Sequence, residues 1–138
     1  MAKILILEPE EELAASLSEA VEGAGWQAEV AGDGSGVMDT FATEAPALVV
    51  LDLAVDGGQG VDLCHRIRES EGGELVPILL LGTGKEGVKN FGDALVEGGD
   101  YYFEKPFEIH KVVSKIETYV GIDQEAPTVV GPPPASAT

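Results

Sequence analysis

Five short apolar runs, each followed by a segment with helical spacing, constrain this chain more than any other feature. The runs cover residues 4–7, 26–30, 48–53, 76–81 and 101–103. After the first, Leu13, Leu17, Val21 and Ala24 recur on one face of a helix. Val37, Met38 and Phe41 mark a second such segment, and Val61, Cys64 and Ile67 a third. Val88, Phe91 and Leu95 mark the fourth. Ile109, Val112, Val113, Ile116 and Val120 mark the fifth. Punctuation agrees. Pro9 suits a first helical turn, Gly23 and Gly25 suit a helix end, and Pro46 and Pro77 each stop a helix before an apolar run.

The pattern is therefore (βα)5, an α/β doubly wound parallel sheet of flavodoxin-like topology. Runs 48–53 and 76–81 are continuously apolar, as central strands covered on both faces must be. Run 26–30 alternates, which places it nearer an edge. In such folds ligands meet the carboxyl ends of the strands. The residues there are Glu8-Pro9-Glu10, Asp52 with Asp56, Gly82-Thr83, and Glu104-Lys105-Pro106.

Charge narrows the partners. Among 138 residues, 25 acids face 8 bases, a formal charge of −17. That balance argues against nucleic acid and against an anionic membrane surface, both of which attract clustered Lys and Arg. Lys3 alone among the basic residues precedes Arg66, so a face for an acidic or phosphorylated partner is expected in the second half. The single Cys64 cannot form an internal disulfide, and the apolar start is too short for a signal peptide or a membrane span. A cytoplasmic protein is expected. Residues 1–121 read as one domain, and the Pro-rich residues 122–138 as a flexible tail or linker.

Asp52 ends an otherwise apolar strand, and Lys105 follows the last one. With the third and fifth strands flanking the first or fourth, the two can converge. The pair is either a plain ion pair or a phosphate acceptor with its point charge. Here the sequence resembles the receiver domains of two-component response regulators. The matching residues are Ile4-Leu5-Ile6-Leu7-Glu8, then Ala47-Leu48-Val49-Val50-Leu51-Asp52-Leu53 with Gly57 and Gly60. They continue with Pro77-Ile78-Leu79-Leu80-Leu81 and Gly98-Gly99-Asp100-Tyr101-Tyr102-Phe103-Glu104-Lys105-Pro106-Phe107. The resemblance covers residues 3–120. It implies a phosphoryl group taken by Asp52 from a kinase phosphohistidine. It further implies Mg2+ held by an acidic pair, Asp52 and the Ala54 carbonyl, with Lys105 and a Ser/Thr binding the phosphoryl oxygens. Tyr102 matches the switch aromatic.

The sequence departs from that pattern twice. The acidic pair is Glu8-Pro9, and the Ser/Thr position is Gly82 with Thr83 beside it. Weak Mg2+ binding is expected. The expectation is a degenerate receiver that signals through protein–protein contacts, with phosphorylation of Asp52 impaired or absent. It is not an enzyme beyond its own phosphorylation and dephosphorylation. A working Mg2+-dependent acceptor, using Glu10 or Asp56 as a substitute ligand, is the alternative. A second is nucleotide binding, because residues 82–87 spell G-x-G-x-x-G after a strand. His65 and His110 read as surface residues, Cys64 as core, and Trp26 as packing at the start of the second strand. Lys85, Lys89, Lys111 and Lys115 flank the face of the fourth helix, fifth strand and fifth helix, where a partner is expected.

Overall fold

The computed structural model describes residues 2–121. The tail expected over 122–138 lies outside the described residues. Five strands, β1 (Lys3–Leu7), β2 (Gln27–Ala31), β3 (Leu48–Asp52), β4 (Ile78–Gly82) and β5 (Tyr101–Glu104), form one sheet in the order β2-β1-β3-β4-β5. Every neighbouring pair is parallel. The helices are α1 (Glu11–Gly23), α2 (Val37–Glu44), α3 (Gly60–Glu69), α4 (Phe91–Val96) and α5 (Ile109–Val120). A single turn, Val55–Gly58, follows β3, with Asp56 and Gly57 in the left-handed region.

Alternation along the strands divides the core in two. Leu5, Leu7, Val49, Leu51, Ile78 and Leu80 pack with α2, α3 and Ala94 of α4. Ile4, Ile6, Leu48, Val50, Leu79 and Leu81 pack with α1 and α5. This is the three-layer sandwich that the periodicity implies. β3 and β4 are buried at all five positions, whereas edge strand β2 is not buried at any.

Three local expectations need correction. Pro9 lies ahead of the helix: α1 starts at Glu11 with Glu10 as its N-cap. The Glu10 N–H donates to Glu8 Oε2 at 3.0 Å, which holds residues 8–10 as a turn. The fourth helix is shorter than its apolar spacing suggests. Val88 is buried but precedes it, and the Asn90 side chain caps it by accepting the Asp93 N–H at 2.8 Å. The face that packs inward carries Ala94, leaving Phe91 and Leu95 about half exposed. Finally, Val76 enters the core two residues before β4 rather than within it, whereas Trp26 packs at the start of the second strand as expected.

Candidate functional site

Three side chains converge at the carboxyl edge because their strands are close in the sheet and in phase. Glu8 continues the facing of Ile4 and Ile6 beyond β1. Asp52 continues that of Leu48 and Val50, and Lys105 that of Tyr101 and Phe103. β1 lies against β3, and only β4 separates β3 from β5. The Lys105 ammonium forms an ion pair with Asp52 and lies 3.5 Å from Glu8 Oε2 and 4.0 Å from Glu10 Oε1. The Ala54 N–H donates to Asp52 Oδ1 at 2.7 Å.

Glu8 and Asp52 are both buried, with the Lys105 ammonium against them. Two buried carboxylates beside one cation favour retention of a proton. Burial, then the neighbouring Asp52 carboxyl, raises the pKa of Glu8 to about 7, against the pull of the Glu10 N–H and Lys105. Burial pulls the Lys105 pKa down, but Asp52, Glu8 and Glu10 outweigh it and hold it above that of an ordinary lysine.

Gly82 and Tyr102 flank the site from the other core. A Cβ on Gly82 would meet Glu86 Oε1 at 2.9 Å, Leu53 Cδ1 at 3.1 Å and Tyr102 Cε1 at 3.2 Å. Tyr102 is therefore buried against the space that the glycine leaves free, with no hydroxyl at position 82 to draw it in. Thr83, beside it, turns outward. Its N–H donates to Glu86 Oε1 at 3.0 Å and its hydroxyl to Glu86 Oε2 at 2.7 Å, while the Lys85 N–H donates to Oε1 at 3.2 Å.

A family model described as the response regulator receiver domain matches residues 4–117. The chain belongs to that family. It is 34% identical over 134 residues to the "Probable transcriptional regulatory protein TcrX" of Mycobacterium tuberculosis, covering 93% of this chain and 56% of the relative. It is 33% identical to the transcriptional regulatory protein YxdJ of Bacillus subtilis, covering 87% of this chain and 51% of that one. The receiver thus spans about half the length of the curated relatives it matches. Among solved structures, a signal receiver domain from Bermanella marisrubri superposes with a TM-score of 0.74 at 27% identity, covering 87% of this chain and 99% of that one. A putative response regulator from Chloroflexus aurantiacus superposes at 0.77 and 24%, covering 86% and 97%.

Receivers commonly use Mg2+, and the residues here fit a strong Mg2+ site poorly. Glu8 Oε2 already accepts the Glu10 N–H and faces Lys105. Pro9 brings no carboxylate. Asp56, weighed as a substitute ligand, accepts the Gly34 N–H at 3.0 Å and is tied to the loop after β2. Glu10 reaches only the rim, beside Lys105. Among the described residues no group of three or more His, Cys, Asp or Glu side chains is placed to hold a metal.

The structure thus brings Glu8, Asp52, Ala54 and Lys105 together, sets Gly82 and Tyr102 alongside, and turns Thr83 away. Sequence reasoning missed Glu86. Its signal was the Thr83-x-x-Glu86 spacing, which brings a hydroxyl residue and a glutamate three positions on together across one turn, here with Thr83 as the donor of both bonds.

Proposed function

We propose that this receiver transmits a two-component signal through protein contacts, with Asp52 phosphorylated slowly or not at all. One observation carries the reading: the buried carboxyl pair of Glu8 and Asp52, with Lys105 against it and Pro9 where a second acid would stand. Phosphoryl transfer depends on positioning and on neutralising charge, so a site with surplus buried carboxylate and a poor Mg2+ donor set opposes it. The loss of one transition-state donor costs on the order of 10²-fold in rate.

The partner face we assign is formed by α4, β5 and α5. Phe91, Leu95 and Val96 are exposed there, and Lys115 lies over the Tyr101 ring at 4.1 Å from its centroid. Exposed apolar and aromatic groups beside a cation suit a protein surface that is itself apolar and acidic. The names of several relatives refer to DNA binding, as with the "DNA-binding response regulator MtrA" of Mycolicibacterium smegmatis. That belongs to those longer proteins.

The intact Asp52–Lys105 pair favours a second reading, a working acceptor fed by a kinase phosphohistidine. Incubation with acetyl phosphate and Mg2+, followed by intact-protein mass spectrometry, separates the two. Only a minor fraction is expected to gain the mass of one phosphoryl group. Stoichiometric addition that Asp52→Asn abolishes overturns the first reading. The nucleotide reading loses its donors, because the N–H groups of Thr83 and Lys85 already bond Glu86. A thermal shift with any nucleotide would restore it.

A further inference from the structure

Glu86 is the one acid on the 82–87 loop, and its carboxylate does not face solvent freely. It accepts three hydrogen bonds from its own loop: the N–H and hydroxyl of Thr83 and the N–H of Lys85. Oε1 sits 2.9 Å from where a Cβ on Gly82 would lie, so the carboxylate occupies the space of the side chain that position 82 lacks. Gly82 follows Leu81, the register partner of Asp52 across the β3–β4 pair. Partial burial raises the pKa of Glu86, but the Thr83 hydroxyl and the two N–H groups outweigh it, and the net direction is down, despite a smaller upward push from Asp52. An anion thus lies beside the acceptor, on donors that an incoming anion needs.

We propose that Glu86 is a tethered anion that occupies the Thr83 donors and so excludes a phosphoryl group from the β4 side of Asp52. Position 82 offers no hydroxyl, so Thr83 is the only residue on that edge with both an N–H and an O–H to give, and both are held by Glu86. Three-residue tethering gives the carboxylate a high effective concentration against any free anion. Freed of Glu86, Thr83 can turn its two donors toward Asp52, and the loop has the glycines to let it: Gly84 and Gly87 both sit in the left-handed region. Glu8 and Glu10 lie against Lys105, whereas Glu86 takes the donors on the β4 side.

The proposal rests on Asp52 being the acceptor position. In the test reaction the Asp52 carboxylate attacks the phosphorus of acetyl phosphate. An Asp52 O–P bond forms, the acetyl O–P bond breaks, and acetate leaves with the electron pair. Initial rates are compared for the unaltered chain, Glu86→Ala, the double variant Glu86→Ala with Thr83→Ala, and Asp62→Asn, an exposed acid at the start of α3, as a charge control. Glu86→Ala is expected to gain on the order of 10²-fold, the scale of one oxyanion donor. The double variant should lose most of that gain, and Asp62→Asn should stay within about 2-fold of the parent. Equal rates for Glu86→Ala and the parent overturn the proposal, including the case in which neither is modified. So does an equal gain in Asp62→Asn, which would mean bulk charge, or a gain that survives loss of the Thr83 hydroxyl, which would mean a loosened loop. A rapid parent reaction overturns the slow-acceptor reading instead and leaves the ratio to decide the role of Glu86.

Discussion

Glu8 and Asp52 set one carboxyl group against another in a buried site with a single ammonium between them. In the unfolded chain Glu8 titrates near 4.5, and in the folded chain burial and Asp52 raise it to about 7. The folded state holds the proton more tightly. The stability this contributes is complete below the unfolded value and is lost as pH rises through the folded one. At about 1.4 kcal/mol per unit, the effect is on the order of 3 kcal/mol across that window. Urea unfolding from about pH 5 to about pH 8 should therefore show falling stability, and Glu8→Gln, which keeps a neutral side chain of the same shape, should flatten the slope and be the more stable protein at the alkaline end. A parallel slope in the variant contradicts the assignment. The residues of this site were legible because strand phase alone puts Glu8, Asp52 and Lys105 on one facing. Glu86 was not, because its place depends on loop hydrogen bonds that no periodicity encodes.

At the scale of elements, strands β3 and β4 could be read directly, since doubly covered strands must be apolar throughout. Helix α4 could not. Its apolar residues at 88, 91 and 95 have helical spacing, yet burial went to Val88 and Ala94, and the Asn90 cap decided the start. Arg68 is the other element-scale feature that sequence spacing hides. It leaves α3 and donates to the carbonyls of Gly73, Val76 and Gly98 at 2.9, 2.6 and 2.8 Å, and pairs with Asp100 at 2.9 Å. Asp100 in turn accepts the Ile78 N–H at 2.8 Å, at the entry to β4. One guanidinium thus fixes the end of α3, the connection to β4 and the turn before β5. Arg68→Ala strands three carbonyls and a carboxylate together, so the expected loss is about 2–4 kcal/mol, measured as a lower urea midpoint. Arg68→Lys should recover little, because an ammonium cannot reproduce the planar fork. A loss below about 0.5 kcal/mol would show that the loop holds its path without the clamp.

Taken as a whole molecule, the chain carries 25 acids and 8 bases, and the two signs make opposite predictions for salt. Ion pairs such as Lys3–Glu44 and Arg68–Asp100 weaken when screened. Repulsion among the unpaired carboxylates weakens too, and that stabilises the compact state. Exposed pairs contribute only about 0.2–1 kcal/mol each. Acids outnumber bases roughly three to one, so most carboxylates have no basic partner whatever the pairing. Repulsion therefore dominates, and added salt should raise stability rather than lower it. The buried cluster of Asp52, Glu8 and Lys105 is sheltered from ions and should hardly respond. The expected result is a urea midpoint that climbs as KCl rises from about 0.01 M to about 0.15 M, where the screening length shortens from roughly 30 Å to roughly 8 Å. Most of the climb should come early, because the added ions first screen charges that are far apart. Urea is the right denaturant, since guanidinium would itself screen the charges. A midpoint that fell with salt would mean that the few ion pairs outweigh the surplus charge. The acids would then be organised into a network instead of spread as a repelling shell.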